Sequence, residues 1–245
     1  MRSTVSTDLT RLRSEVAARI EPIVLNACDE NFEERCRTYL QTLRWPGGVA
    51  CPRCAESSRL LWLESRSKWH CYGCRYQFSV TAGTLFHHSH LPVWKWLVAV
   101  HLMLDSPEGI SAGELRRRLG GSYKTAWFAA HRIRAAMRGG GEDLLRSLVE
   151  AEVDHPPRSG ARNELLRSRD ITLSGVADTP QADIAQLGRR LAGPYHHLSA
   201  KHLLAYLDER RWRFAQRGNP HAFRDTILAL LGGEGLSYVQ LVAER

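Results

Sequence analysis

Cys51-Pro52-Arg53-Cys54 and Cys71-Tyr72-Gly73-Cys74 stand sixteen residues apart in a chain of 245. Each pair can sit on one tight turn and offer two thiolates on the same side. Two such turns close a tetrahedron, and C-x2-C repeated at this separation is the spacing of a structural zinc ribbon. The stretch 49–80 that holds them is built of short aromatic and β-branched runs, so it reads as a small β unit. A unit of this size buries too little apolar surface to fold unaided. A bound metal supplies what is missing, about 10 kcal/mol in zinc-finger peptides. Four thiolates fill the coordination shell, so Cys51, Cys54, Cys71 and Cys74 are assigned to a structural Zn²⁺ with no position open for catalysis. A redox C-x2-C would open a helix in a βαβ unit and would not come twice at ribbon spacing.

The flanks of this unit read as helical. Residues 1–27 carry weak helical periodicity through Leu9, Leu12, Val16 and Ile20. Asn31–Leu43 places Phe32, Cys36, Tyr39, Leu40 and Leu43 at helical spacing, and Pro46-Gly47-Gly48 ends that run. Three helices are expected over 92–138, followed by a glycine break at 139–141. His87, His88 and His90 read as part of a loop. Residues 155–194 are the least regular, with one candidate strand at Ile171–Val176. Ser199–Gln216 and Pro220–Leu231 read as closing helices, the second with Asn219 as cap and Pro220 at the first helical position.

The helices after the ribbon carry a second pattern. Ser111-Ala112-Gly113-Glu114 is a capping box: the serine hydroxyl accepts from a backbone N–H and the glutamate reaches back. It opens a short helix to Leu119. Gly120-Gly121 turns the chain, and Ser122 caps a helix running to about Met137. Two helices joined by a short glycine turn form a helix-turn-helix. On the second helix Trp127, Ala130, Ile133 and Met137 share one face, and Lys124, His131, Arg132 and Arg138 lie opposite. From 111 to 138 there are seven lysines or arginines and one acid. Such a concentration suits a surface that meets phosphates. The expected DNA contacts are Arg116, Arg117, Ser122, Tyr123, Lys124, Thr125, His131, Arg132 and Arg138, with the first turn (122–125) placed to reach base edges in a major groove. Gly109-Ile-Ser-Ala-Gly113 also fits the G-x-S-x-G nucleophile pattern, but no strand precedes it, so a hydrolase is not supported.

Composition agrees with a polyanionic partner. Lysine plus arginine number 34 against 26 acids, a formal charge of +8. With 43% hydrophobic and 24% charged residues, wholesale disorder, collagen and a coiled-coil rod are excluded. No apolar run reaches the roughly 18 residues of a membrane span. Val93–Leu104, interrupted by Lys95 and His101, comes nearest. The first residues lack the apolar stretch of an export signal, so the expected location is the cytoplasm, with six cysteines reduced or metal-bound.

Taken together, Cys51-Pro-Arg-Cys54, Trp69-His-Cys71-Tyr-Gly-Cys74, Phe78-Ser-Val-Thr-Ala-Gly-Thr84, Trp94-Lys-Trp96 and the helix-turn-helix resemble the zinc-ribbon insertion-sequence transposases of bacteria (the ISXO2-like DDE type). Glu150-Ala-Glu152-Val-Asp154 resembles the strand bearing the first catalytic aspartate of that family. The stretch from Tyr195 through Lys201-His202, Tyr206, Glu209, Arg213-Phe214 and Asn219-Pro220 to Phe223 resembles its C-terminal end. The resemblance implies a ribonuclease-H-like domain in which three acids hold two Mg²⁺ ions for in-line displacement at phosphorus. Between Asp154 and Tyr195, however, only 40 residues remain, too few for a multistranded sheet with its crossovers. The family's third acidic position falls on Gln181.

The expected architecture is therefore α+β: N-terminal helices (1–48), a zinc ribbon (49–91), a helix-turn-helix domain (92–140), then a shortened ribonuclease-H-like remnant (141–245) ending in two helices. The expected function is DNA binding at insertion-element terminal repeats, in a nucleoid-associated bacterial protein whose DDE catalysis is impaired or lost. Asp154 is its candidate catalytic residue, and Mg²⁺ enters only if the catalytic site is intact. A second copy of the chain or an intact transposase relative is the expected protein partner, and no membrane is involved. Two other readings use the same parts: an active DDE transposase working through Asp154 and two Mg²⁺, and a transposase-derived transcription regulator or inhibitor of transposition.

Overall fold

The computed structural model describes residues 2–20, 32–106, 109–139 and 202–243. The chain divides into two compact units, Met1–Ala136 with Asn219–Ala243, and Met137–Gly218 with Glu244–Arg245. Asp154, Gln181, the candidate strand at Ile171–Val176 and the stretch 155–194 lie outside the described residues.

The first unit is helical around a small sheet. Its elements are α1 (Arg2–Ile20), α2 (Phe32–Arg44), β1 (Leu60–Leu63), β2 (Lys68–Cys71), β3 (Gln77–Phe78), α3 (Val93–Asp105), α4 (Ala112–Leu119) and α5 (Tyr123–Ala136). The second unit contributes α6 (Leu203–Ala215), and α7 (Ala222–Gly232) and α8 (Tyr238–Ala243) return to the first. Residues 219–243 thus belong with the N-terminal unit. The physical reason is apolar burial. Phe223, Ile227 and Leu230 of α7 are buried, Phe223 stacks on Tyr39 of α2 at 6.3 Å, and the Leu230 carbonyl accepts from the Leu85 N–H.

Helix α3 is the centre of this unit. Val93, Trp96, Leu97, Val98, Ala99, Val100 and Met103 are all buried, and α1, α2, α4, α5 and α7 all pack on it. Its apolar run is therefore core, and no described helix is long and apolar enough to cross a membrane. Pro92 cannot cap it with a side chain. Glu33 of α2 does so from 60 residues away: its two carboxylate oxygens accept from the N–H groups of Val93 and Trp94, each at 3.1 Å. A carboxylate at a helix N-terminus satisfies orphan donors and complements the dipole.

Helix α1 buries Leu12, Val16 and Ile20, a strict i, i+4, i+8 row. Beside them Arg19 donates through one nitrogen, Nη2, to both Asp105 oxygens at 2.7 and 2.8 Å. The buried His101 of α3 donates to Glu15 at 2.9 Å. Cys36 is a core residue of α2, and burial pushes its thiol up to about 12.

Helix α7 starts two residues later than the Asn219-Pro220 signal predicts, with His221 at the cap position. The Asn219 side chain spends itself locally, accepting from the His221 N–H and donating to Asp225. Helix α8 carried too short an apolar pattern to be expected. The segment leading to it runs so close to residues 84–87 that a Cβ on Gly233 would lie 2.6 Å from Leu85 Cδ1. In the second unit the Asp208 carboxylate of α6 accepts from the Gly139 N–H at 3.0 Å.

Candidate zinc centre and nucleic-acid interface

Strands β1, β2 and β3 form one antiparallel sheet in that order. Leu60 pairs with Cys71 and Trp62 with Trp69, while Trp69 also faces Phe78. Alternation then sends Leu60, Trp62, Trp69, Cys71 and Phe78 to one side. Cys51, Cys71, Phe78 and Ala82 are its buried centre, with Trp45, Val49, Leu60, Trp69, Cys74 and Tyr76 packed around them.

The two C-x2-C turns are built alike. Ala55 N–H donates to the Cys51 carbonyl at 2.8 Å, and Arg75 N–H to the Cys71 carbonyl at 2.8 Å. Ala55 (φ 60°) and Arg75 (φ 61°) both take the left-handed conformation just after the second cysteine. Cys51 N–H then donates to the Glu56 carbonyl, and Cys71 N–H to the Tyr76 carbonyl. The result is a pair of matched knuckles that present four sulfurs inward. Cys51 and Cys74 sulfurs are 3.6 Å apart, as are those of Cys54 and Cys71. All four lie within 4.8 Å of one another.

A tetrahedral Zn²⁺ with Zn–S bonds of about 2.3 Å needs sulfurs about 3.8 Å apart, so the donor set fits. Its electrostatics also call for a cation. Burial pushes the Cys71 thiol up, yet the backbone N–H groups of Cys74 and Gly73 and the neighbouring Cys54 outweigh it and bring it to about 7. At Cys54 the Glu56 N–H favours the thiolate, but the thiols of Cys74, Cys71 and Cys51 and burial hold it at about 12. Four sulfurs this close cannot all ionise until a divalent cation joins them. No other cluster of metal-ligating side chains occurs among the described residues. His87 and His88 stack on each other at 3.9 Å and belong to a loop, as expected.

The second site is the α4–α5 pair. Ser111 caps α4, its hydroxyl accepting from Glu114 N–H at 3.1 Å. Only half of the expected box forms. The Glu114 carboxylate turns outward to Arg118 at 2.8 Å and to Arg117. Lys95 of α3 closes the other end of α4 by donating to the Leu119 carbonyl at 2.7 Å. Gly120 (φ 71°) and Gly121 (φ 89°) both need positive φ, which explains the glycine pair in the turn. Ser122 then caps α5, accepting from Thr125 N–H at 3.1 Å and pairing with its hydroxyl at 2.8 Å. Leu115 and Leu119 of α4 and Ala126, Ala129, Ala130 and Ile133 of α5 form the buried seam.

Of the residues expected to meet DNA, Arg116, Arg117, Ser122, Tyr123, Lys124, Thr125 and Arg138 are exposed. Tyr123 keeps 54% of its surface. His131 and Arg132 are placed otherwise, with only 4% and 2% exposed. The Arg132 guanidinium stacks over Phe128 at 4.2 Å and donates to the carbonyls of Leu85, His87 and Leu236. Burial lowers its pKa to about 10. Arg132 is an internal strut joining α5 to residues 85–87 and to the segment before α8, and His131 packs against Trp127 at 4.1 Å. Their helical spacing gave a polar face, but chain from 47 and 104 residues away covers it.

Comparison with known proteins adds to this geometry. Residues 32–77, a stretch that opens at the first residue of α2, match the transposase zinc-ribbon domain, and the chain carries it. The chain is 30% identical over 180 residues to an uncharacterized protein in transposable element ISH50 of Halobacterium salinarum. That alignment takes in 69% of this chain and 59% of the relative's length. No solved structure matches the chain.

Proposed function

Taking residues 32–77 as a transposase zinc-ribbon domain, we propose that the protein binds duplex DNA at the ends of an insertion element through α4 and α5. The observation that carries this is the exposed first turn of α5, where Tyr123 and Lys124 lie at the surface on a cap made by Ser122 and Thr125. Arg116 and Arg117 flank that turn from α4. A helix N-terminus of this kind can enter a major groove while neighbouring arginines hold phosphates. The zinc ribbon holds its own sheet together through Zn²⁺ on Cys51, Cys54, Cys71 and Cys74.

Cleavage and strand transfer are impaired or lost in this reading. Two Mg²⁺ ions need several carboxylates at one point. Only Asp154 stands in a family-like context, the third acidic position holds Gln181, and 40 residues separate Asp154 from Tyr195. Such a protein works on the cell's DNA in the cytoplasm, beside a second copy or an intact relative. The test uses supercoiled plasmid bearing element terminal repeats, purified protein and Mg²⁺ or Mn²⁺. Binding to the repeats without nicking is the expected result. Nicking abolished by Asp154→Asn would show an active enzyme, and equal binding to any promoter fragment would favour a regulator.

A further inference from the structure

The β1–β2 hairpin ends in a short 3-10 turn, Glu64–Arg66, and then Ser67 with φ 46°. This turn projects Arg66 and Lys68 to the side of the ribbon away from its core. Arg66 is steadied there by donating to the Gln77 side chain at 3.1 Å. Beside the hairpin lies an open cleft of about 590 Å³, walled by residues 66–68, 79–81 and 89–94 and by Glu33 and Arg37 of α2. Arg37, Arg66 and Lys68 bring three cations to it, with His90 at its edge. Glu33 is the one acid among its lining residues. Both Glu33 oxygens are already spent on the α3 N–H groups, and one also on Arg37. The Ser67 side chain and the Ser79 and Thr81 hydroxyls, the last two bonded to each other at 2.9 Å, line it with neutral polar groups.

Resting on the DNA-binding reading, we propose that this cleft is a second contact with duplex DNA, in which Arg66 and Lys68, with Arg37 behind them, hold backbone phosphates beyond the segment met by α5. The chemistry favours a phosphate polymer over an enclosed small anion because the cleft is open along the sheet. Lys68, His70 and Gln77 share the outer face that continues it, and Tyr72 beside them is 59% exposed. The ribbon stretch 49–80 as a whole carries Arg53, Arg59, Arg66, Lys68 and Arg75 against Glu56 and Glu64. Glu56 is itself committed to Ser58 and Arg59.

The experiment uses the full zinc-loaded chain, a fluorescent duplex carrying an element end, and anisotropy across a salt series. In Arg66→Ala/Lys68→Ala both changes are at exposed side chains, and zinc content and melting temperature report the fold. Loss of two phosphate contacts should flatten the log–log salt slope by about 2 and weaken binding about 30-fold at 0.15 M salt. A hydroxyl-radical footprint should lose one protected segment and keep the segment that depends on Lys124. Arg66→Lys/Lys68→Arg keeps both charges and should bind like the wild type. Unchanged slope and footprint in the alanine variant overturn the inference, and Lys124→Ala still weakening binding would leave the proposed function standing. A single-stranded probe that competes through Arg66 and Lys68 as well as the duplex overturns the choice of ligand. A wild-type protein that binds no duplex overturns both.

Discussion

Replacing Arg132 with methionine separates two roles that one side chain could play. As a DNA contact it would affect affinity alone. The structure makes it a strut, with a buried guanidinium forking onto the carbonyls of Leu85, His87 and Leu236. The cost can be worked from those partners. The Leu85 carbonyl is buried and would lose its donor, about 1–3 kcal/mol. The carbonyls of His87 and Leu236 are partly exposed and can take water, so each adds a fraction of that. Methionine recovers packing over Phe128 and removes the desolvation cost of a buried charge. The net expectation is a loss of about 3 kcal/mol, or roughly 6–12 °C in melting temperature for a chain of this size. Arg132→Lys keeps the charge but not the fork and should fall about midway. Urea denaturation of the zinc-loaded protein, with duplex binding measured below the transition, reads both quantities. A variant as stable as the wild type that loses affinity and one unit of salt slope would refute the strut and restore the surface role.

Three further outcomes follow from the same contacts. Glu33→Ala removes the cap of the central helix and should cost about 2 kcal/mol by urea denaturation, whereas a loss under about 0.5 kcal/mol would mean that water serves those N–H groups equally well. The Glu15 carboxyl is held below its ordinary 4.5 first by the hydrogen bond from His101 and then by that from Arg11, so its contribution is present above pH 4.5 and vanishes as pH falls through the lowered value. Melting temperatures between pH 6 and pH 3 should therefore converge for wild type and Glu15→Gln, acid release of zinc being common to both, and parallel curves would contradict this. Ala55→Gly and Arg75→Gly relieve left-handed strain in the knuckles and should leave stability unchanged or raise it by up to about 1 kcal/mol, while Ala55→Val should lower zinc retention against a chelator.

The cysteine spacing disclosed the ribbon because coordination geometry acts within a few residues of chain. Local rules also revealed the Ser111 and Ser122 caps and the Gly120-Gly121 turn, and the apolar rows of α1 and α2 marked their buried faces. What escaped reading depends on chain far away in sequence. Arg132 looks like part of a polar face until the carbonyls of Leu85, His87 and Leu236 take up its guanidinium. The cap on α3 comes from Glu33, sixty residues earlier, and α7 joins the N-terminal unit through Tyr39 and Leu85. The left-handed Ala55 and Arg75 carry no glycine to betray them. Their conformation is imposed by the carbonyls of Cys51 and Cys71, and the recurrence of one residue after each C-x2-C was the available clue.

The proposed DNA binding requires α4 and α5 to form a phosphate-neutralising surface on a zinc-supported unit. Its most direct test is the affinity of the full zinc-loaded chain for an element-end duplex as a function of salt. The exposed cations Arg116, Arg117, Lys124 and Arg138, together with Arg66 and Lys68 of the ribbon, make about six neutralised phosphates and predict a log–log slope near −5, reduced by about one in Lys124→Ala. Affinity that does not change with salt, or the same slope with and without Lys124, would contradict it.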